Sequence, residues 1–218
     1  GAERLTFSAM MGATLVIACG ALAREIDALK RANGWDQLQV QCLDAALHNR
    51  PKSIPAKVEA LLEKHFHQYE RVFVAYADCG TGGALDTVLA RWGVSRLPGA
   101  HCYEVFATSP VFHALAAAEP GTFYLTDFLA RHFDRLVIED LKLDTHPVLQ
   151  DMLFGHYQRI VYLAQTDDAD LRAKAEKAAE RLGLAFEVLE TGLTSLESAL
   201  APQVLHFDHN REVHHATH

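Results

Sequence analysis

Short apolar runs alternate with amphipathic helical stretches along almost the whole chain, and this alternation restricts the fold more than any single residue does. Thr14–Ala18, Leu38–Leu43, Val72–Ala77, Arg159–Ala164 and Ala185–Leu189 read as strands. Helical patterns lie between them: Ala21–Ala32 closed by Asn33-Gly34, "IPAKVEALLEKHF" capped by Ser53, and Ala84–Arg91. Tyr103–Ala118 reads as helix interrupted near Ser109-Pro110, and "TFYLTDFLARHFDRLVIEDL" starts extended and turns helical at Thr126 or Asp127. A short helix over Pro147–Phe154 follows. The stretch "TDDADLRAKAEKAAERLG" then combines an acidic first turn, an alanine-rich body and a terminal Gly183. Four of the strands lack a polar face, as a sheet covered by helices on both sides requires. The expected fold is a Rossmann-like three-layer α/β sandwich with a mostly parallel sheet. It spans residues 13–200 as a single domain, with an N-terminal extension at 1–12 and a His-rich, flexible tail at 201–218.

Charge and cysteine content narrow the partners. The formal net charge is −8, with no basic cluster, so an acidic surface argues against nucleic acid, and the expected partner is a small-molecule substrate. The 4 cysteines are too few and too scattered for a disulfide scaffold, and they suit a reducing cytoplasm. Residues 8–23, "SAMMGATLVIACGALA", carry no charge and loosely resemble a lipoprotein cleavage site ending at Cys19. The stretch is too short for a membrane-spanning helix, and helical patterning resumes directly after it, so it reads as a first buried strand and not as a membrane segment.

In an open parallel sheet, ligands bind beyond the carboxyl ends of the strands. Cys19, Cys79 and Cys102 all fall at such ends, each near the start of a helix, where free N–H groups favour a thiolate. Taken singly, each cysteine is as well explained by packing, and Cys42, mid-strand in "LQVQCLDAAL", is assigned to packing. Three at equivalent positions point to a shared site. Three thiolates with one open position are the donor set of a catalytic zinc, or alternatively of a [4Fe-4S] cluster with one open iron. His101 is a candidate fourth ligand, weighed against a surface role.

The loop "DCGTGG" lacks the Lys-Ser/Thr pair of a P-loop and the spacing of a dinucleotide fingerprint, and Leu85 stands where a cysteine phosphatase needs arginine. Gly80, Thr81, Gly82 and Gly83 are therefore candidates to let the backbone approach a bound cofactor or anion while leaving Cys79 unobstructed. Asp78 and Asp86 flank the loop. In "LHNRP", a turn by composition, Arg50 is a candidate clamp for an anionic substrate group, with His48 and Asn49 beside it. Glu104 reads either as a first-turn acid or as a proton acceptor near Cys102. "PGTFYLTDF" reads as a structural turn and strand.

Together, "LVIACGALAREI", "LHNRP", "ADCGTGG", "PGAHCYE", "PGTFYLTDF" and "VYLAQTDD" resemble an uncharacterised family of bacterial and archaeal proteins, known as a domain of unknown function. The resemblance covers roughly residues 13–200. It matches Cys19, Cys79 and Cys102 to the family's three cysteines, whereas other members place an acidic residue between the histidine and the third cysteine. Such proteins are often found beside corrinoid-dependent methyltransferases acting on methylamines and betaines. The resemblance thus implies a metal–thiolate protein of methyl-group or corrinoid one-carbon metabolism, a methyltransferase in its enzymatic form, with a corrinoid protein as partner. Two alternatives stay open: a non-catalytic accessory module that binds metal or docks on a corrinoid protein, and a metal-free enzyme with Cys79 as nucleophile.

Overall fold

The structure, a computed structural model, describes residues 12–215, with side chains described as far as Val204. The N-terminal extension expected at 1–12 falls almost entirely outside the described residues. The chain divides into two compact units, one built from the chain up to Cys102 together with Leu196 onward, the other from Tyr103–Ser195.

The first unit runs β1 (Thr14–Cys19), α1 (Ala23–Asn33), β2 (Leu38–Leu43), α2 (Ile54–His65), β3 (Arg71–Ala75), α3 (Ala84–Trp92) and β4 (Ser95–Arg96). Its sheet has the order β2-β1-β3-β4, and all pairings are parallel. All six residues of β1 are buried, which is why this run shows no alternation in the sequence. Leu15, Ile17 and Cys19 share one face with Val74 and Tyr76 and pack against Ile54, Val58 and Leu62 of α2 and Leu85, Val88 and Leu89 of α3. Helix α1 buries Ile26 and Leu29 and closes at Gly34, whose left-handed φ of 64° allows its N–H to reach the Lys30 carbonyl.

The second unit runs α4 (Ser109–Ala118), β5 (Thr122–Leu125), α5 (Asp127–Arg131), α6 (Leu149–Phe154), β6 (Arg159–Ala164), α7 (Ala169–Leu182) and β7 (Ala185–Glu190). Its sheet is parallel in the order β5-β6-β7. Phe112, Tyr124, Val161 and Leu163 pack together in one cluster. Leu125, Phe154, Ile160 and Tyr162 join Ala175, Ala178 and Leu182 of α7 in another. The last helix, α8 (Thr194–His215), takes in much of the His-rich stretch, and its Gln203 returns to the first unit, accepting from Thr14 Oγ1 (3.4 Å, at the backbone carbonyl) and Arg71 Nε (3.0 Å, at the side chain).

The α/β class and the parallel pairing are as expected, but the strands form two sheets where the sequence suggests one. Edge strand β4 offers only two residues for pairing; Leu97 N–H adds one bond to the Val74 carbonyl (3.2 Å), and Pro98 after it has no N–H to extend the ladder. Three smaller differences have physical causes. Ser53 lies at φ −85°, ψ −15° inside a helical turn and makes no capping bond, because the short 3-10 turn Pro51–Ser53 leads straight into α2. Tyr103–Ala118 is split into a 3-10 turn, Cys102–Val105, and α4, with Pro110 in the first turn of α4, where its missing N–H costs nothing. After α5 the chain passes into a π-helical segment, Asp134–Glu139, instead of one long helix.

Candidate functional site

Strands β1 and β3 are neighbours, with Ile17 beside Val74 and Ala18 beside Ala75. Continuing that register sets Cys19 against Tyr76, on the face that packs on α2 and α3. Gly20 is needed at the turn after Cys19: a Cβ there would lie 2.9 Å from the Leu43 carbonyl oxygen and 3.3 Å from the Ala45 nitrogen. The chain can thus leave the buried cysteine and pass tightly over the end of β2.

Beyond β3 the backbone does not enter a helix directly. Asp78 N–H and Cys79 N–H donate to the carbonyls of Gly99 (3.1 Å) and Ala100 (2.8 Å), which ties the Cys79 loop to the segment leading into Cys102. Cys79 itself has φ 53°, a left-handed conformation that costs a non-glycine residue on the order of 1–2 kcal/mol. The two loops together bring the Cys79 and Cys102 sulfurs to 2.8 Å, with either thiol able to donate. Cys19 lies close enough to Cys102 for each thiol to shift the ionisation of the other, which gathers all three cysteines towards the carboxyl end of the first sheet.

The three thiols are not equivalent. The hydrogen bond with Cys102 lowers the Cys19 pKa more than burial raises it, and the Ala21 N–H lowers it further. The thiol contacts with Cys19 and Cys79, and then burial, push Cys102 well above the ordinary thiol value. Tyr76, 2% exposed, lies beside this cluster, and its hydroxyl has no hydrogen-bond partner; it approaches the Cys19 thiol without the alignment of a bond. Burial first, and the charges on Cys19 and Cys102 next, raise the Tyr76 pKa far above that of an ordinary tyrosine, so its proton stays available for donation.

The glycine loop turns its donors inward. Asp78 accepts from the Thr81 hydroxyl (2.7 Å) and from the N–H groups of Gly83 (2.9 Å) and Gly82 (3.1 Å), and these contacts hold its carboxyl below the usual carboxylate range. An anion binding at these amides has to displace a carboxylate already there. Gly80 lies against Pro51, so the "HNRP" turn borders the cysteine loop: a Cβ on Gly80 would sit 3.4 Å from the Pro51 Cβ. Arg50, exposed, ends the 3-10 turn Ala45–Asn49, which Asp44 caps through the Ala46 N–H at 2.9 Å. His101 is close enough to His48 that, after desolvation, its charge helps to hold His48 below the ordinary histidine value. Asp86, which flanks the loop, takes the Arg96 guanidinium at 2.6 and 3.1 Å, while Arg96 Nη1 donates to the Leu97 carbonyl at 2.6 Å. Glu104 belongs to the second unit, where its charge acts on Tyr124. Cys42 corrects an expectation: it is exposed on edge strand β2, not packed in the core.

The donor set suits a soft metal, but the sulfurs are not yet spaced for one. Two thiolates on one tetrahedral zinc, at about 2.3 Å each, stand about 3.8 Å apart. The Cys79–Cys102 contact at 2.8 Å is shorter. Accordingly, among the described residues no group of three or more His, Cys, Asp and Glu side chains is arranged to hold a metal ion as it stands.

The sequence reading missed Tyr76 and Arg96. The only signal for Tyr76 was a tyrosine ending an apolar strand run just before the cysteine loop. No helix among the described residues is long and apolar enough to cross a membrane. No curated protein and no solved structure matches this chain. Residues 42–200, which include Cys79 and Cys102 but not Cys19, match the family described as "Protein of unknown function (DUF1638)", and the chain belongs to that family.

Proposed function

We propose that this chain is a metal–thiolate protein in which Cys19, Cys79 and Cys102 hold one metal centre, zinc in the first instance and a [4Fe-4S] cluster as the alternative. The observation that carries this reading is the meeting of three thiols from separate segments, beside a buried hydroxyl that lacks a partner. Bound there, zinc supplies a Lewis acid that favours the thiolate form of a substrate thiol. The chain's own residues do the rest. Cys79 and Cys102 would hold the ion together with Cys19, and the glycines after Cys79 would let its loop adjust. The buried Tyr76 hydroxyl would be able to donate a hydrogen bond to a substrate group bound beside the thiols. Arg50, on the bordering turn, is the candidate to take an anionic group of a small-molecule substrate, with His101 next to Cys102 as a further ligand candidate. The family resemblance supports methyl-group or corrinoid one-carbon metabolism in the cytoplasm as the setting, a methyltransferase as the activity and a corrinoid protein as the partner.

A second reading has its own observation. Of the three cysteines, Cys79 alone lies at positive φ and next to an exposed glycine, which presents its sulfur as a nucleophile. Metal content and an absorption spectrum separate the two, measured on protein purified without oxygen, beside Cys19→Ser, Cys79→Ser and Cys102→Ser. About one metal per chain, lost in every variant, is expected, and a methyl-transfer assay on that loaded protein distinguishes an enzyme from an accessory module. No metal in any preparation, with rapid alkylation of Cys79 alone, overturns the metal reading.

A further inference from the structure

We propose that Cys79 and Cys102 form a reversible disulfide, so that this edge of the sheet is a site of thiol oxidation. The inference goes beyond the metal reading and stands without a metal, because it needs only the apposition of two thiols. Their sulfurs lie 2.8 Å apart, whereas a disulfide needs about 2.05 Å, so closure requires an approach of roughly 0.8 Å. This apposition is built by the backbone. Asp78 and Cys79 are hydrogen-bonded through their N–H groups to Gly99 and Ala100, which fixes one cysteine-bearing segment against the other. The left-handed backbone at Cys79 directs its side chain towards that partner. Cys79 and Cys102 are both partly exposed, the neighbouring Gly80, Gly82 and Gly83 are exposed, and Cys19 is buried. An oxidant arriving from solvent therefore meets this pair before Cys19, and the exposed glycines leave the approach to Cys79 open.

The chemistry is thiol–disulfide exchange with a low-molecular-weight disulfide. The Cys79 sulfur attacks one sulfur of glutathione disulfide, the S–S bond breaks, and one glutathione leaves as a thiol. The Cys102 sulfur then attacks the Cys79 sulfur of the mixed disulfide and releases the second glutathione. Two cysteine sulfurs are oxidised, glutathione disulfide is reduced to two thiols, and the two cysteine protons end on the released thiols. On the metal reading above, oxidation removes two of the three donors at once, and bound metal in turn shields the pair.

The test uses the full chain in a Cys42→Ser background, since exposed Cys42 forms mixed disulfides of its own. Reduced, metal-free protein is treated with glutathione disulfide, and the products are mapped by peptide mass. The expected product is a Cys79–Cys102 cross-link, lighter by two hydrogen atoms and reversed by dithiothreitol, with titratable thiols falling from three to one. Cys19→Ser is expected to keep the cross-link, and this variant cannot complete a three-thiolate centre, so the outcome is read apart from metal binding. Cys102→Ser is expected to stop at a glutathione adduct on Cys79. A cross-link that uses Cys19 in place of Cys79 or Cys102, or glutathione adducts with no internal cross-link, overturns the proposal.

Discussion

Replacing Tyr76 by phenylalanine removes one oxygen from a side chain that is 2% exposed and whose hydroxyl has no hydrogen-bond partner. Burying a hydroxyl without a partner costs about 1–3 kcal/mol, and the aromatic packing of Phe is otherwise the same. Allowing for the small void left behind, Tyr76→Phe is expected to stabilise the reduced, metal-free protein by about 1 kcal/mol. For a unit of this size, that raises Tm by about 3–5 °C. The assay is thermal unfolding followed by circular dichroism, with and without zinc. In the metal-free protein the variant is expected to unfold later. Zinc is expected to add less to the Tm of the variant than to that of the wild type, because the hydrogen bond offered to the open position is missing. A Tm several degrees below wild type in the metal-free protein refutes the reasoning, since it means that the hydroxyl is already bonded in the folded state and not held for a ligand.

Two further predictions concern carboxylates. Asp78, held below the usual carboxylate range chiefly by the Thr81 hydroxyl and the Gly83 N–H, supports its loop while ionised. Its folded pKa is depressed, so that support is present above the ordinary Asp value of about 3.9 and is lost as pH falls below it. Amide exchange protection at Gly82 and Gly83 is expected to collapse below about pH 4, and in Asp78→Ala it is expected to be absent at every pH. Asp127, 1% exposed, accepts from the Tyr162 hydroxyl (2.6 Å), the Thr166 hydroxyl (2.6 Å) and N–H (3.1 Å), and the Gln165 N–H (3.2 Å). Asp127→Ala leaves the buried Tyr162 hydroxyl and Gln165 N–H without this partner and is expected to destabilise the second unit by about 2–4 kcal/mol. Limited proteolysis is expected to cut first within Tyr103–Ser195, and resistance there would contradict that account.

Much of this was legible from local pattern. An uninterrupted apolar run such as Thr14–Ala18 has no alternation because both of its faces are covered, and the three cysteines were found by their positions after such runs. Pairing between sheets was not legible, because alternation reports whether a segment is a strand and not which strand it meets. The two-residue strand β4, followed by a proline, is too short to register as a period. The role of Asp78 was hidden for a similar reason: a glycine loop looks open to an anion until the carboxylate of its own first residue is seen to fill it. Cys42 was misjudged because β2 is an edge strand, and edge position depends on strand order, not on composition.

The return of α8 to the first unit bears on the order in which the protein folds. Tyr103–Ser195 is continuous in sequence, with neighbouring strands paired in chain order, so its contacts are local and it can fold as soon as it leaves the ribosome. The first unit has to wait. Gln203 closes against Thr14 and Arg71 across 189 and 132 residues of chain, so these contacts form only after Gln203 has been synthesised. Until then the amino ends of β1 and β3 are incompletely packed, while the opposite end of the sheet, which carries the cysteines, does not depend on these contacts.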